Sequence, residues 1–259
     1  MRPRDSREEN SRMNPYASIA DDHYININLN TEMDLSSGRE TVLHFAEQMQ
    51  KKYPEMRNFY ARDKGDFVLE QDKDGGSYRW CSIETRRIAA GQVNPPSIES
   101  AMEQHRHALE LAPFALSVSP LDCEALDLLL GFDFNYRGNH NQLVSEALGL
   151  CPGFERLADM PGAQFINHEP NLTIAVDDDC RLQCRINIEN RTTPYHIRTG
   201  EYQEDQLSVY ITARRYGSLE SGMTYVKAID DLEKLCIEVV DNYVVDAVLQ
   251  PLARTIALQ

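Results

Sequence analysis

The chain has 259 residues, 42% of them apolar and 26% charged, with a net charge of −15 at neutral pH. That composition fits a soluble protein of one large domain or two ordinary ones. It holds no apolar run of the roughly 18 residues that a membrane-spanning helix needs. Its longest basic clusters are pairs such as the arginines at 86–87 and 214–215, so it lacks the basic footprint of a nucleic-acid binder.

Residues 1–22 carry four Arg and five acids with no apolar core, so they read as a disordered tail and not as a secretory signal. "YININLN" then alternates, with Ile25, Ile27 and Leu29 on one side and Asn26, Asn28 and Asn30 on the other, the pattern of a half-buried strand over 24–33. "RETVLHFAEQMQKKY" places Val42, Phe45, Met49 and Tyr53 on one helical stripe, ended by Pro54. Short extended pieces follow at "RNFYAR", "DFVLEQ", "SYRWCSIET" and "RIAAGQV", with "DKDGG" as a hairpin turn. Ser97 caps a helix that runs to about Leu111 and is stopped by Pro113.

"EALDLLLGFDFNYR" opens the second half as a strand over 125–137, with Leu128, Leu130, Phe132 and Phe134 sharing a face. A short helix at "NHNQLVSEALGL" precedes extended pieces at "AQFINHE", "NLTIAVD", "CRLQCRINIEN" and "DQLSVYITARRYG". "SLESGMTYVKAIDDLEKLCIEVVDNYVVDAVL" reads as a long helix starting near Ser218 and ended by Pro251. Beyond Asn242 this tract grows more apolar than one face needs, and it is expected to bridge the two halves or to meet a second subunit.

"SIESAM" at 97–102 and "SLESGM" at 218–223 are near-copies, and "SIET" at 82–85 is echoed by "NIEN" at 187–190. These echoes predict an internal duplication, with residues 23–120 as one α+β repeat and 121–259 as a second carrying a C-terminal helical extension. The order β-α-β(4)-α, taken twice, resembles the TATA-binding-protein-like fold. The resemblance implies one curved antiparallel sheet with helices on one face. Two ferredoxin-like βαββαβ units are the alternative.

No nucleotide cradle, nucleophile elbow or zinc-type spacing occurs. Cys180 and Cys184 are read as sharing a strand face, and the six cysteines as core residues in a reducing cytoplasm. His105 and His107 lie two apart on a helix and point to different sides. Glu84 and Glu189 occupy echoed positions and would form a carboxylate pair only if the fold brought them together. No cofactor or metal is expected.

Alternation assigns an outward set on the face away from the helices: Tyr78, Trp80, Glu84, Arg185, Glu189, Tyr210 and Arg214. Large aromatics among polar groups are the usual anchors of a contact surface. The function expected is a non-catalytic interaction or scaffold protein, monomeric or homodimeric, that uses this face or the C-terminal helix. A small-molecule binder or enzyme with a site between sheet and helices is the alternative.

Overall fold

In a computed structural model, residues 14–36, 38–62 and 65–259 are described. They form an α+β protein around one antiparallel sheet of nine strands in the order β2-β3-β4-β5-β1-β6-β9-β8-β7. The strands are β1 (Asp22–Thr31), β2 (Met56–Ala61), β3 (Phe67–Gln71), β4 (Tyr78–Ile83), β5 (Arg87–Val93), β6 (Cys123–Tyr136), β7 (Asn171–Ala175), β8 (Leu182–Glu189) and β9 (Asp205–Tyr216). The helices are α1 (Arg39–Lys52), α2 (Ile98–Ala115), α3 (His140–Leu148), the short α4 (Glu155–Ala158) and α5 (Pro194–Thr199), α6 (Tyr225–Val239) and α7 (Gln250–Ala257). β1 and β6 are neighbours at the centre. From each of them the chain passes through a helix to an outer edge and returns strand by strand.

β1 forms because its alternation meets buried aliphatic positions on both sides. Ile25, Ile27 and Leu29 pair in register with Leu130, Leu128 and Leu126 of β6, and all six are almost wholly buried. Such side chains contribute roughly 1.5–3 kcal/mol each. α1, α2 and α6 pack on this face: Val42 and Phe45 meet Leu69 and Cys81, His105 reaches the Ile25 carbonyl, and Cys236 lies against Ile211.

Several boundaries differ from the sequence expectation. α2 continues through Pro113 to Ala115, since only the Leu109 carbonyl loses its partner and one more turn completes the burial of Ala112 and Ala115. Its start is as expected, with the Ser97 side chain accepting a hydrogen bond from the Ser100 amide. "SLESGM" starts no helix. Gly222 takes a left-handed φ of 83°, and α6 begins only at Tyr225, where the Thr224 hydroxyl accepts from the Lys227 amide. The two hexapeptides therefore lie in different kinds of structure, and that argument for duplication fails. Nor does Pro251 end the tract. Residues Val240–Leu249 widen into a π-helix that runs straight into α7, and Pro251 is carried within this continuous helix just past the widened segment.

"AQFINHE" is not a strand. The Asn139 and Asn141 side chains donate to the Phe165 and Ile166 carbonyls, and Asn141 accepts from the His168 amide. The segment is thereby tied to α3, and three strands follow α3 where four follow α1. The ferredoxin-like alternative is also corrected, because β2 to β5 run consecutively between α1 and α2. The C-terminal extension packs on α3, inside its own half of the chain.

The expected tail needs a correction as well. Residues 1–13 lie outside the described residues, but Asn14 and Tyr16 are buried. The Asn14 amide donates to the Pro95 carbonyl and meets His23; the Tyr16 ring packs edge-on to Phe132 and its hydroxyl donates to Asp241. These two side chains tie residues 14–22 to the fold.

His105 is fully buried in α2, with Nε2 3.0 Å from the Ile25 carbonyl and Nδ1 without a partner. Burial pushes its pKa down to about 3. The unfolded imidazole, near its usual value of about 6.5, takes up a proton that the fold refuses. His105 therefore contributes stability that is fully present above about pH 6.5 and is lost as pH falls toward 3. The slope is at most about 1.4 kcal/mol per pH unit. In urea unfolding between pH 7.5 and 4.5, His105→Gln is expected to flatten the pH dependence by one proton's worth, whatever its effect at pH 7.5.

Candidate functional site

The sheet face away from α1, α2 and α6 is organised in rows that cross the strands. One row runs Tyr78, Val93, Tyr24, Gly131, Tyr210, Asn187, Asn171. The next runs Trp80, Gly91, Asn26, Leu129, Thr212, Arg185, Thr173, and a third runs Ser82, Ala89, Asn28, Asp127, Arg214, Gln183, Ala175. The two glycines are required here. A Cβ on Gly131 would sit 2.1 Å from the Tyr24 ring, and one on Gly91 would sit 2.5 Å from Trp80 Nε1 and 2.1 Å from Asn26 Oδ1. Each large aromatic lies across a glycine, and Tyr24 also meets Tyr210 with ring centres 6.3 Å apart.

Of the outward residues expected from sequence, the structure brings Arg185 and Arg214 together. With Thr173, Gln183, Thr212 and Tyr216 they line a hollow of about 140 Å³ on β7, β8 and β9. Arg214 is held by Asp127 in a bidentate pair, with Nε to Oδ1 at 2.5 Å and Nη2 to Oδ2 at 2.6 Å, while Nη1 donates to the Tyr216 hydroxyl. These hydrogen bonds raise the Arg214 pKa. Asp127 is 2% exposed, so the pair neutralises a carboxylate sunk into the sheet. Arg185 is exposed, and its Nε donates to Asn171. The rim thus consists of a guanidinium, hydroxyls and an amide, suited to a carboxylate or another acceptor.

The other expected residues are dispersed. Tyr78 and Trp80 share rows with Tyr210 and Arg185, but four strands lie between β4 and β8, a span of roughly 24 Å at the usual strand spacing. Glu189 ends β8, bonded to Asn187 Nδ2. Glu84 lies just past the strand, its carboxylate still within reach of the Ser82 hydroxyl on the open face. β4 ends at Ile83, and Glu84 lies in the following turn, its carboxylate 2.5 Å from Arg87. The Glu84–Glu189 pairing is therefore excluded, since the two sit at opposite ends of the central strands and on opposite sides of the sheet's midline.

Sequence reasoning missed Asp127, Tyr24 and the two glycines. Asp127 and Gly131 alternate with Leu126, Leu128 and Leu130, so the signal was present in the period of β6. The cysteine reading also needs correction: Cys180 has a left-handed φ of 56° in the β7–β8 turn and is exposed, as is Cys151. Burial pushes Cys81 and Cys236 up to about 12 and Cys123 up to about 11, so these are poor thiolates at neutral pH. Among the described residues no three His, Cys, Asp or Glu side chains converge as metal ligands, and no helix is long and apolar enough to cross a membrane. The cavity between α1 and the sheet measures about 10 Å³, scarcely room for one water.

No protein-family model matches the chain, and no curated protein matches it either.

Loss of Arg214 would leave the Asp127 carboxylate buried and unpaired. Arg214→Ala is expected to cost about 3–5 kcal/mol. Asp127→Asn should cost less, because the guanidinium it frees is already partly in water. Urea unfolding of the two variants checks the order.

Proposed function

We propose that this protein is a non-catalytic interaction or scaffold protein that binds a protein partner through the open face of its sheet. The observation that carries the reading is the hollow around Arg185 and Arg214, a donor-rich spot on a chain of net charge −15. A partner carboxylate placed there meets a guanidinium, and Trp80 and Tyr210 offer flat apolar area along the same rows. Burial of Val244, Leu249 and Leu252 in the extension supports the sheet face over the C-terminal helix as the contact surface. The 10 Å³ gap beneath the middle of α1 leaves no room for a ligand at that point between sheet and helix. The acidic charge argues against nucleic acid as the partner. The setting we propose is cytoplasmic, with the protein as a monomer or homodimer.

The fold belongs to the same proposal. We infer two related halves in a TATA-binding-protein-like order. The mirrored sequence β2-β3-β4-β5-β1 and β6-β9-β8-β7 supports this, with β1 and β6 as counterparts and the second half one strand short. A shared fold carries no shared function.

The test is affinity capture with the full chain, with partners identified by mass spectrometry and compared with those of Arg185→Glu and Trp80→Ala. Arg185 is exposed, so Arg185→Glu is expected to keep the wild-type thermal midpoint, whereas Trp80→Ala uncovers the backbone at Gly91 and is expected to lower it, so partners are compared at a temperature where both variants are folded. A partner set depleted at least tenfold by Arg185→Glu supports the open face. Identical sets for all three proteins reject it.

A further inference from the structure

We propose that the outer edge of β7 is the docking site for an extended segment of a partner protein. That segment has alternating apolar residues at its centre and Lys or Arg at both ends. This edge adjoins the Arg185 hollow, which Thr173 also lines, but it is a main-chain surface and goes beyond the function proposed above.

The hydrogen-bond pattern defines the edge. The Ile188 amide donates to the Pro170 carbonyl and the Val176 amide to the Leu182 carbonyl. Bonded pairs alternate in an antiparallel ladder, so Leu172 and Ile174 also bond to β8. The N–H and C=O groups of Asn171, Thr173 and Ala175 therefore point outward. The segment that could have covered them, residues 164–170, is held on α3 by Asn139 and Asn141.

Natural edge strands are usually blunted by charge, proline or a covering element. β7 contains no charged residue and no proline between Asn171 and Ala175. Among the described residues no helix covers its apolar side, and Leu172, Ile174 and Val176 are 61%, 47% and 41% exposed in a row. Such a row on an unpaired edge is the surface that strand addition uses: main-chain bonds supply affinity and alternate side chains supply fit.

Charge selects the occupant. Glu169 precedes the strand and Asp177, Asp178 and Asp179 follow it. Glu169 accepts from Asn190 and Asp177 from the Leu182 amide, so an incoming strand meets the field of acidic ends, not free carboxylates at every position, with aliphatic side chains between them. A second copy is a poor match. Antiparallel self-pairing centred on Thr173 sets Asp177 opposite Glu169 of the other chain, twice per interface, between molecules that each carry −15. A basic-ended strand gains at the same positions.

The probe is the capped peptide KKVTVTVKK, with EEVTVTVEE as its charge-reversed control, added to the full chain while amide hydrogen exchange is followed. The expected result is at least fivefold slower exchange at Asn171, Thr173 and Ala175 with the Lys-ended peptide, and at least tenfold weaker binding of the Glu-ended one. Thr173→Pro removes an outward N–H that makes no native bond, and Leu172→Lys places charge on the exposed row; each is expected to abolish protection. If Thr173→Pro fails to fold, Leu172→Lys decides alone. The proposal is overturned by no protection at millimolar peptide, by equal binding of both peptides, or by binding that survives the substitutions. It is also overturned by a dimer in sedimentation that either substitution dissolves, because the occupant is then a second copy. Leu172 lies on the side of β7 away from the Arg185 hollow, so Leu172→Lys tests this edge alone, as Arg185→Glu tests the face alone.

Discussion

The pairing of β1 with β6 is the constraint on which the remaining structure depends. Ten residues of one strand lie against the other in antiparallel register, about a hundred positions apart in the chain. The pairing is fixed at its end by the Asp21 amide donating to the Asp133 carbonyl and by the Asp21 carboxylate accepting from the Asn135 amide. Each strand then sets the place of its own meander, since β5 and β9 are added to their outer sides. α2 lies over β5 and β1, and α6 over β6 and β9, so the helical layer inherits its spacing from the same seam. A contact this distant in sequence is entropically costly to close. The six near-fully buried aliphatic side chains across β1 and β6 are what offset it.

The seam also explains why the two faces carry different kinds of large side chain. On the helix side, branched aliphatics fill the volume beneath three helices. On the other side no long helix lies above the central strands, and an upright aromatic there would stand in water. Gly91 and Gly131 let Trp80 and Tyr24 lie flat instead, so their faces cover backbone while their edges stay wet. Asp127 faces the same requirement and meets it differently. A carboxylate at the middle of a central strand is tolerated because Arg214, on the adjacent strand, closes over it with two hydrogen bonds.

Where a property depends on local periodicity, the sequence carried it. Ile25, Ile27 and Leu29 alternate visibly, as do Cys184, Ile186 and Ile188, and these strands and faces were readable. Ser97 was readable as a cap because the cap bond is local. The places that were not readable are those where tertiary partners override local preference. Asn141 looks like any helix-start residue, yet its amide captures a loop 25 residues on and denies it to the sheet. Tyr16 sits in a polar stretch and is buried only because Phe132 and Asp241 receive it. The echo of "SIESAM" in "SLESGM" misled because five matching or similar residues do not outweigh one glycine at positive φ. The candidate residues were assigned largely to the correct face, with Glu84 just past its strand, but alternation gives a side and not a distance. It could not tell that Arg185 and Arg214 adjoin while four strands separate Trp80 from Arg185.

The two edges of the sheet show how differently one chain can treat the same liability. β2 carries Arg57 and is followed by Arg62, it packs under α1, and its Phe59 stacks on Phe67. It has charge and a stacked aromatic, with Met56 as its one buried residue. β7 has none of these within the strand. What protects it is placed around it: Glu169 and three consecutive aspartates flank the edge, and the whole chain carries −15. At physiological ionic strength such charges act over about 8 Å. That reach is enough to disfavour an identical acidic edge in register, but too short to hold off a strand whose own ends are basic. Repulsion of this kind discriminates between partners, whereas a proline or a lysine inside the strand would reject them all. An edge kept apolar and guarded only at its ends is consistent with selection for a particular neighbour.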